Sequence, residues 1–149
     1  MKLSARSRYG ARAMLELALH YGDGYILIKD IANSQEISRR YLEHLIVSLQ
    51  AVGLVETIRG KKGGCILAKP PSQIKLGEVV EALEGSVALV DCVVDGKLCS
   101  REKLCVTRDI WIKVKDAIVN VLNSITLEDM VKWQKEKMQS NGTETSYYI

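Results

Sequence analysis

The stretch from residue 38 to residue 67, SRRYLEHLIVSLQAVGLVETIRGKKGGCIL, decides the fold of this chain. Its first half carries leucine and isoleucine at helical spacing behind Ser38, a residue suited to cap a helix N-terminus, and Gly53 ends the predicted helix. Two strand-like runs follow at 54–58 and 65–67, and a basic, glycine-rich segment joins them. The pattern predicts one helix followed by a β-hairpin with a flexible, cationic tip.

The residues before this stretch predict the remaining helices of the same domain. Apolar side chains at i, i+3, i+4 and i+7 mark an amphipathic helix that starts near Ser7 and ends at the glycines of 22–24. An extended run at 25–28 then leads to a brief helix at 30–34. Helix, short strand, helix, turn, helix and hairpin is the order of a winged helix-turn-helix, so residues 1–69 are predicted to form a DNA-binding domain.

The outward side of the helix after Ser38 carries residue types that read DNA. Once the leucines are buried, four side chains must point to solvent: Arg39, Arg40, Glu43 and Val47. An arginine can bond guanine bidentately and a glutamate can accept from cytosine in the major groove, while Arg59 on the hairpin suits a narrow minor groove. The predicted DNA-contacting residues are Arg39, Arg40, Tyr41, Glu43, Arg59, Lys61 and Lys62. The alternative is that these side chains are ordinary solvated charges. The basic tip of the hairpin favours the DNA-binding interpretation over this alternative.

Charge is unevenly distributed along the chain. Residues 1–75 carry 12 Lys and Arg against 6 Asp and Glu, whereas residues 76–149 carry 9 against 12. The front half is therefore suited to a polyanion, although the total of +3 by itself singles out no partner.

The composition excludes several classes of protein. A hydrophobic fraction of 47% rules out disorder for most of the chain. No apolar run approaches the ~18 residues of a spanning helix, and the N-terminus lacks the apolar core of a signal peptide, so we expect a cytoplasmic protein. The sequence contains no phosphate loop or metalloprotease motif, and neither His20 nor His44 lies near another candidate catalytic group. It therefore predicts a protein that is not an enzyme.

The second half predicts helices and one irregular segment. After two prolines, apolar spacing indicates a short helix at 76–83, and 85–103 has too little helical periodicity to be more than a loop. A helix of about five turns starts near Cys105. Thr126, with an aspartate three residues later, resembles a capping box that opens a last helix ending near Met138.

This pattern gives a mainly α fold with a small β-hairpin wing, in which a long dimerisation helix follows the winged helix-turn-helix domain. Beyond residue 69 we expect a connecting helix and cysteine loop at 70–103, a dimerisation helix and C-terminal helix at 104–138, and a flexible tail at 139–149.

Dimerisation is inferred from Trp111 and Val119, which lie well around the long helix from its main apolar stripe and need a second buried surface. The alternative is a helix laid across its own domain. A homodimer would bind a pseudo-palindromic site in double-stranded DNA.

Three of the four cysteines form a triad with the spacing Cys92-x6-Cys99-x5-Cys105. In a reducing compartment disulfides are rare, so metal binding takes precedence. The spacing lacks the paired C-x2-C knuckles of common zinc sites and is compatible with an iron-sulfur cluster, which spreads its ligands farther apart. Zinc, no metal, and a direct thiol redox switch stay open as alternatives. For the switch, the nearby cations would lower thiol pKa values; these are Lys97, Arg101 and Lys103.

A series of short motifs occurs in one order along the chain. They are Met1-Lys2-Leu3-Ser4, Arg8-Tyr9-Gly10-Ala11, Ile31-Ala32, Ile37-Ser38, Tyr41-Leu42-Glu43, Gly53-Leu54-Val55, Ile58-Arg59-Gly60, Gly63-Gly64, Gly77-Glu78-Val79, the cysteine triad, Trp111 and Leu122-Asn123-Ser124-Ile125-Thr126-Leu127. In this order they closely resemble the bacterial Rrf2 family, and its IscR branch in particular, over roughly residues 1–135. The resemblance implies a dimeric winged-helix transcription regulator, in a family whose members often carry a cluster that reports iron-sulfur supply, nitric oxide or redox state.

The resemblance also implies roles for individual residues. Cys92, Cys99 and Cys105 would be the cluster thiolates. The helix after Ser38 would be the recognition helix, with Glu43 contacting bases and Arg59 entering the minor groove. Likeness to the IscR branch favours a [2Fe-2S] cluster and leaves a [4Fe-4S] cluster open.

The chain departs from the family's pattern at the fourth cluster ligand and on the recognition helix. The IscR branch places a histidine three residues after the last cysteine, and here that position is Arg108, whose permanent charge makes it a poor ligand. Nitric-oxide-sensing relatives use an acidic residue from the partner's first helix, and the matching position is Arg8. The remaining candidates for the fourth ligand are a small molecule and five side chains: Cys65, Asp91, Asp95, Glu102 and Asp109. The pair Arg39-Arg40 replaces smaller or apolar residues, which predicts a different target sequence.

Overall fold

The computed structural model describes residues 2–60 and 63–146, which form a mainly helical chain with one hairpin. The helices are α1 Ala5–Leu19, α2 Ile28–Gln35, α3 Arg39–Ala51, α4 Leu76–Glu84, α5 Asp91–Val94, α6 Val106–Asn123 and α7 Leu127–Ser146. The strands are β1 Val55–Ile58 and β2 Gly64–Leu67, and short 3-10 turns occur at Pro71–Gln73, Gly96–Leu98 and Glu102–Leu104. The predicted fold class is confirmed.

The core lies between α1, α2 and α3, where the predicted apolar stripes meet. Each of these helices contributes fully buried side chains, and the C-terminal part adds Leu127, which has no exposed surface. The largest buried side chains are Met14, Leu17, Ile31, Leu42, Leu45, Ile46, Leu49, Leu54, Ile74 and Leu127. Each such side chain contributes about 1.5–3 kcal/mol by its removal from water, so the core fixes which face of α3 points outward.

The ends of α3 are set by the residues that the sequence predicts. The Ser38 hydroxyl accepts a hydrogen bond from the Tyr41 N–H over 3.1 Å, which caps the helix. At the other end Gly53 has a φ of 78°, a left-handed conformation that suits glycine and turns the chain into β1. Both predictions are confirmed.

The hairpin pairs β1 with β2 in an antiparallel register that places Val55 opposite Leu67 and Ile58 opposite Gly64. A third extended piece joins it, because Ile26 and Cys65 exchange backbone hydrogen bonds of 2.9 and 2.8 Å. A β-carbon on Gly64 would lie 2.2 Å from the Ile26 carbonyl oxygen, so only glycine allows this close approach. The wing is thereby attached to the chain that precedes α2.

A polar junction joins the N-terminus of α1 to the C-terminus of α4. The Glu84 carboxylate accepts hydrogen bonds from the hydroxyls of Ser4 and Ser7 and from the Ser4 backbone N–H. Arg6 donates to the Leu83 carbonyl oxygen and to the Ser48 hydroxyl of α3, each over 3.2 Å. These contacts connect α1, α3 and α4 at one point.

We expect Glu84→Gln to destabilise the protein at neutral pH and to have little effect in acid. Hydrogen bonds from Ser4 and Ser7, and to a lesser extent the charge of Arg6, lower the pKa of the Glu84 carboxyl. The stability from this group is therefore present above the unfolded-state pKa of about 4.3 and is lost as the pH falls through the lower folded-state pKa. Urea unfolding at pH 7 and pH 3 measures this, with Glu81→Gln, an exposed carboxylate on the same helix, as the control. A Glu84→Gln deficit of the same size at both pH values would contradict the expectation.

The C-terminal helices dock through residues 74–76. Leu76 donates to the Ile125 carbonyl oxygen and Leu127 donates to that of Ile74, over 2.8 and 2.9 Å. The capping box is confirmed, because Thr126 and Asp129 exchange side-chain to backbone hydrogen bonds of 3.0 and 3.1 Å. Across the described residues, none of the helices combines the length and the hydropathy that a membrane crossing requires.

The structure differs from the sequence prediction in two places, at the end of the last helix and within the predicted loop. Helix α7 continues past the predicted end at Met138 to Ser146, so residues 139–146 of the predicted flexible tail are helical, and residues 147–149 lie outside the described residues. The predicted loop at 85–103 contains α5 and a 3-10 turn, and a second 3-10 turn begins at Glu102. These elements are each only three or four residues long, too short to show a helical period.

Candidate functional site

The outward face of α3 is basic and free of core contacts. Arg39, Arg40 and Glu43 are exposed, and Val47 keeps 65% of its surface, while the leucines of the same helix are buried. The Arg39 Nε donates to the Glu43 Oε1 over 3.2 Å, an i,i+4 ion pair. The structure therefore places these side chains on the surface where the sequence predicts a DNA-contacting face.

Tyr41 differs from the other predicted contacts because it is half-buried. Its ring meets the edge of Tyr9 on α1, with centroids 6.0 Å apart and planes at 85°. Above the Tyr9 ring lie two guanidinium groups, those of Arg8 at 5.8 Å and Arg12 at 5.6 Å. Tyr41 thus anchors α3 to α1 and has only part of its ring exposed. Arg8 and Arg12, which lie over the Tyr9 ring, are not among the predicted DNA contacts. Their i,i+4 spacing around a tyrosine is visible in the sequence.

The wing presents one described basic side chain. Arg59 is exposed just after β1, next to Gly60, whose φ is 112°. The Gly63 N–H closes the tip by donating to the Gly60 carbonyl oxygen over 2.9 Å. The other two predicted wing residues, Lys61 and Lys62, lie outside the described residues.

The cysteine triad lies on a surface segment, residues 91–105, which we call the cysteine segment. Cys92 is in α5, Cys99 follows a 3-10 turn, and Cys105 precedes α6. All three thiols are free, and Cys99 is exposed. Cys65 is different, because it is fully buried in β2, where burial raises the pKa of its thiol to about 11. The structure does not bring Cys65 to the triad, so it is not available as a fourth ligand.

The surroundings of Cys105 favour the thiolate form of its side chain. Its sulfur lies 3.2 Å from the Thr107 hydroxyl, and it is the N-cap residue of α6. The pKa of Cys105 is lowered, first by the Thr107 hydroxyl and then by the backbone N–H groups at the start of α6, with a smaller effect from Arg101. The sequence predicts cations as the cause, whereas hydrogen bonding is the larger cause.

The three thiols suit an iron-sulfur cluster by their chemistry, because such clusters prefer thiolate ligands. Their positions are not preassembled: within residues 2–60 and 63–146, no three side chains of histidine, cysteine, aspartate or glutamate come close enough to hold a metal ion. Cluster binding would therefore require the cysteine segment to draw together. Of the candidate oxygen ligands, Asp95 accepts from the Lys97 N–H over 3.0 Å and Glu102 lies against Gly96.

The fold and the basic helix face define a winged-helix DNA-binding regulator, and comparisons with known proteins identify the family. The chain matches the Rrf2 family, described as an iron-dependent transcriptional regulator, over residues 3–133. It belongs to this family. The homologues are named transcriptional regulators and not enzymes, as the sequence predicts.

Relatives with two different names are similar to this chain. The structure of T. potens IscR has a TM-score of 0.75 and 42% identity, with 92% of this chain and 90% of that chain covered. The IscR of Pectobacterium atrosepticum is 37% identical, covering 88% of this chain and 79% of the relative. CymR, the global cysteine regulator of B. subtilis, has a TM-score of 0.73 and 38% identity, covering 89% of this chain and 98% of its own. The resemblance to Rrf2-family regulators is thereby confirmed.

Proposed function

We propose that the protein is a dimeric regulator that reads a pseudo-palindromic DNA site with α3 and the wing, and that an iron-sulfur cluster on the cysteine triad changes its DNA affinity. The observation that carries the DNA-reading part is the outward face of α3, where two arginines and a glutamate stand exposed on a helix whose other side is locked into the core. A rigid helix with such side chains fits a major groove.

The dimer is supported by the exposure of α6. None of the described residues of α6, Val106–Asn123, is buried in the single chain. Several of its large apolar side chains are exposed, including Ile110 at 46%, Trp111 at 37% and Val121 at 59%. A long helix with no buried residue and several exposed large apolar side chains suits a surface that a partner covers. The same helix of a second copy would cover it and would place two recognition helices on one DNA duplex.

The cluster is supported by the three free thiols on one surface segment and by the similarity to regulators named IscR. Cys92, Cys99 and Cys105 would hold it, and the fourth ligand would come from an oxygen donor or a small molecule. The cluster supplies a redox-active, metal-centred charge, and our proposal gives it [2Fe-2S] composition, with [4Fe-4S] as an outcome of the iron and sulfide analysis.

The DNA part of this proposal is tested by selecting bound sequences from random duplex DNA with the anaerobically purified protein. We expect two half-sites related by a two-fold axis, with centres an integral number of turns apart, in multiples of about 10 bp. Footprinting and sedimentation on the selected site measure the stoichiometry. A single unrepeated half-site bound by a monomer would contradict the proposal.

A second function, a direct thiol switch, is favoured by the position of Cys105: its sulfur lies 3.2 Å from the Thr107 hydroxyl at the start of α6, a contact that lowers the pKa of the thiol. A thiolate at the start of a helix reacts readily with oxidants. Anaerobic protein that is colourless, contains no sulfide and changes its DNA affinity on oxidation of Cys105 would establish this function in place of the cluster.

A further inference from the structure

One side chain connects the two ends of the cysteine segment. Arg108 stands in the first turn of α6, and its Nε donates to the Cys92 carbonyl oxygen over 3.1 Å. Its backbone lies three residues after Cys105, the N-cap residue of α6. Arg108 therefore links the backbone of Cys92 to the helix turn that follows Cys105, although the two cysteines are thirteen positions apart in the sequence.

The guanidinium also packs over the turn between Cys92 and Cys99. A β-carbon on Gly96 would lie 3.2 Å from the Arg108 Nη2 and 2.7 Å from the Glu102 Oε2, so the space above Gly96 is already filled. Arg108 is half-buried, whereas the neighbouring Arg101 is exposed. These contacts place the guanidinium of Arg108 over the turn that contains Gly96.

We propose that Arg108 is a positioning residue for the cysteine triad: it holds the backbone of Cys92 against the first turn of α6, the helix that Cys105 precedes, and so restricts how far these two cysteines can separate when the three thiolates gather. This inference rests on the proposed function, because it takes the triad as the ligand set. The planar guanidinium suits the task, since it presents several donors in a fixed arrangement and keeps its charge at every physiological pH. Groups that orient metal ligands in this way commonly alter metal affinity by about 10–100-fold when they are removed.

The first test uses the metal-free, reduced full chain and does not depend on the cluster. Arg108→Met keeps a long apolar side chain and removes the donors. We expect its backbone amides in 92–98 to exchange with deuterium at least several-fold faster than those of the wild type. The control Arg101→Met removes an exposed guanidinium from the same segment and should leave that exchange unchanged. Equal exchange in the two variants would overturn the inference, and equal melting temperatures would show that both fold.

The second test loads the same proteins with ferrous iron and sulfide. Arg108→Met should lose its cluster to a chelator about 10–100-fold faster than the wild type and Arg101→Met, and its visible circular dichroism should change at equal iron content. Arg108→Lys, whose ammonium can still donate to the Cys92 carbonyl oxygen, should behave more like the wild type than like Arg108→Met. Unchanged retention and dichroism in Arg108→Met, or no rescue by lysine, would overturn the inference. If the wild type takes up no iron and sulfide while the exchange difference persists, the cluster proposal fails and the placement of Arg108 stands.

Discussion

Alanine at any one of the three triad cysteines is expected to abolish the visible iron-sulfur absorption, whereas Cys65→Ala should keep it. Each triad thiol is free on the cysteine segment, and each thiolate would supply negative charge to iron. Cys65 is a matched control because it has the same chemistry in a different place. It is fully buried in β2, and its raised pKa of about 11 keeps it a neutral thiol. The measurement is the absorption spectrum of anaerobic protein, with iron and sulfide quantified.

The same variants test whether the cluster controls DNA binding. A ligand shifts a conformational equilibrium only by its differential affinity for the two states, so the cluster must favour one dimer arrangement. We expect loaded and metal-free protein to differ in affinity for at least one class of site by a coupling of about 1–3 kcal/mol, roughly 5- to 150-fold. Paired titrations of holo protein and the triple-cysteine variant on promoter DNA measure it. Equal affinities at every site, or stoichiometric zinc without sulfide, would remove the cluster from the mechanism.

The structure offers a physical connection for this coupling through α4. This helix ends at Glu84, which accepts hydrogen bonds from Ser4 and Ser7 at the N-terminus of α1, shortly before the cysteine segment begins. Arg6 reaches from α1 to the α4 carbonyl of Leu83 and to Ser48 on α3. The end of α4 is therefore linked through Arg6 to α3, the helix that the proposal places in DNA. A displacement at the end of α4 can reach α3 by this route.

The DNA-binding half could be predicted from the sequence because its information is local. The leucine spacing of α3, the cap at Ser38 and the stop at Gly53 each act within a few residues, and the glycine-rich tip fixes the hairpin. The same pattern predicts which face of α3 points to solvent, because burying the leucines leaves the arginines outside. The packing of Tyr41 on Tyr9 could not be predicted in this way, because it joins two helices that are distant in sequence.

The sensor half could be predicted only in part, because its geometry depends on contacts that the sequence pattern does not display. The long helix α6 and the capping box at Thr126 were predictable from periodicity and spacing. The hydrogen bond from Arg108 to Cys92 spans sixteen positions, and the hydrogen bond from Ser4 to Glu84 spans 80. No local pattern marks such pairs, and the short turns between the cysteines lack a helical period. The predicted triad was consequently a set of ligand candidates without an arrangement.

Alanine at Arg40 or Glu43 is expected to relax base preference, each by about 1–3 kcal/mol of discrimination at one position of each half-site. Both side chains are exposed on the outward face of α3, so their loss leaves the core intact. Glu43 needs a further variant, because its carboxylate pairs with Arg39 in the free protein. Arg39→Ala should release that carboxylate and retain the Glu43 preference. The measurement is a binding-site selection for each variant, compared as sequence logos.

Two lysine variants distinguish side chains that read bases from side chains that attract phosphate in general. Lys61→Ala on the wing should weaken binding to all sequences alike and reduce the slope of log affinity against log salt by about 1. Lys132→Ala removes an exposed charge from α7 and should change neither the logo nor the slope. If Arg40→Ala and Glu43→Ala return the wild-type logo and alter only the salt slope, α3 contacts phosphates and does not read bases. Specificity would then have to come from the wing or from the shape of the DNA.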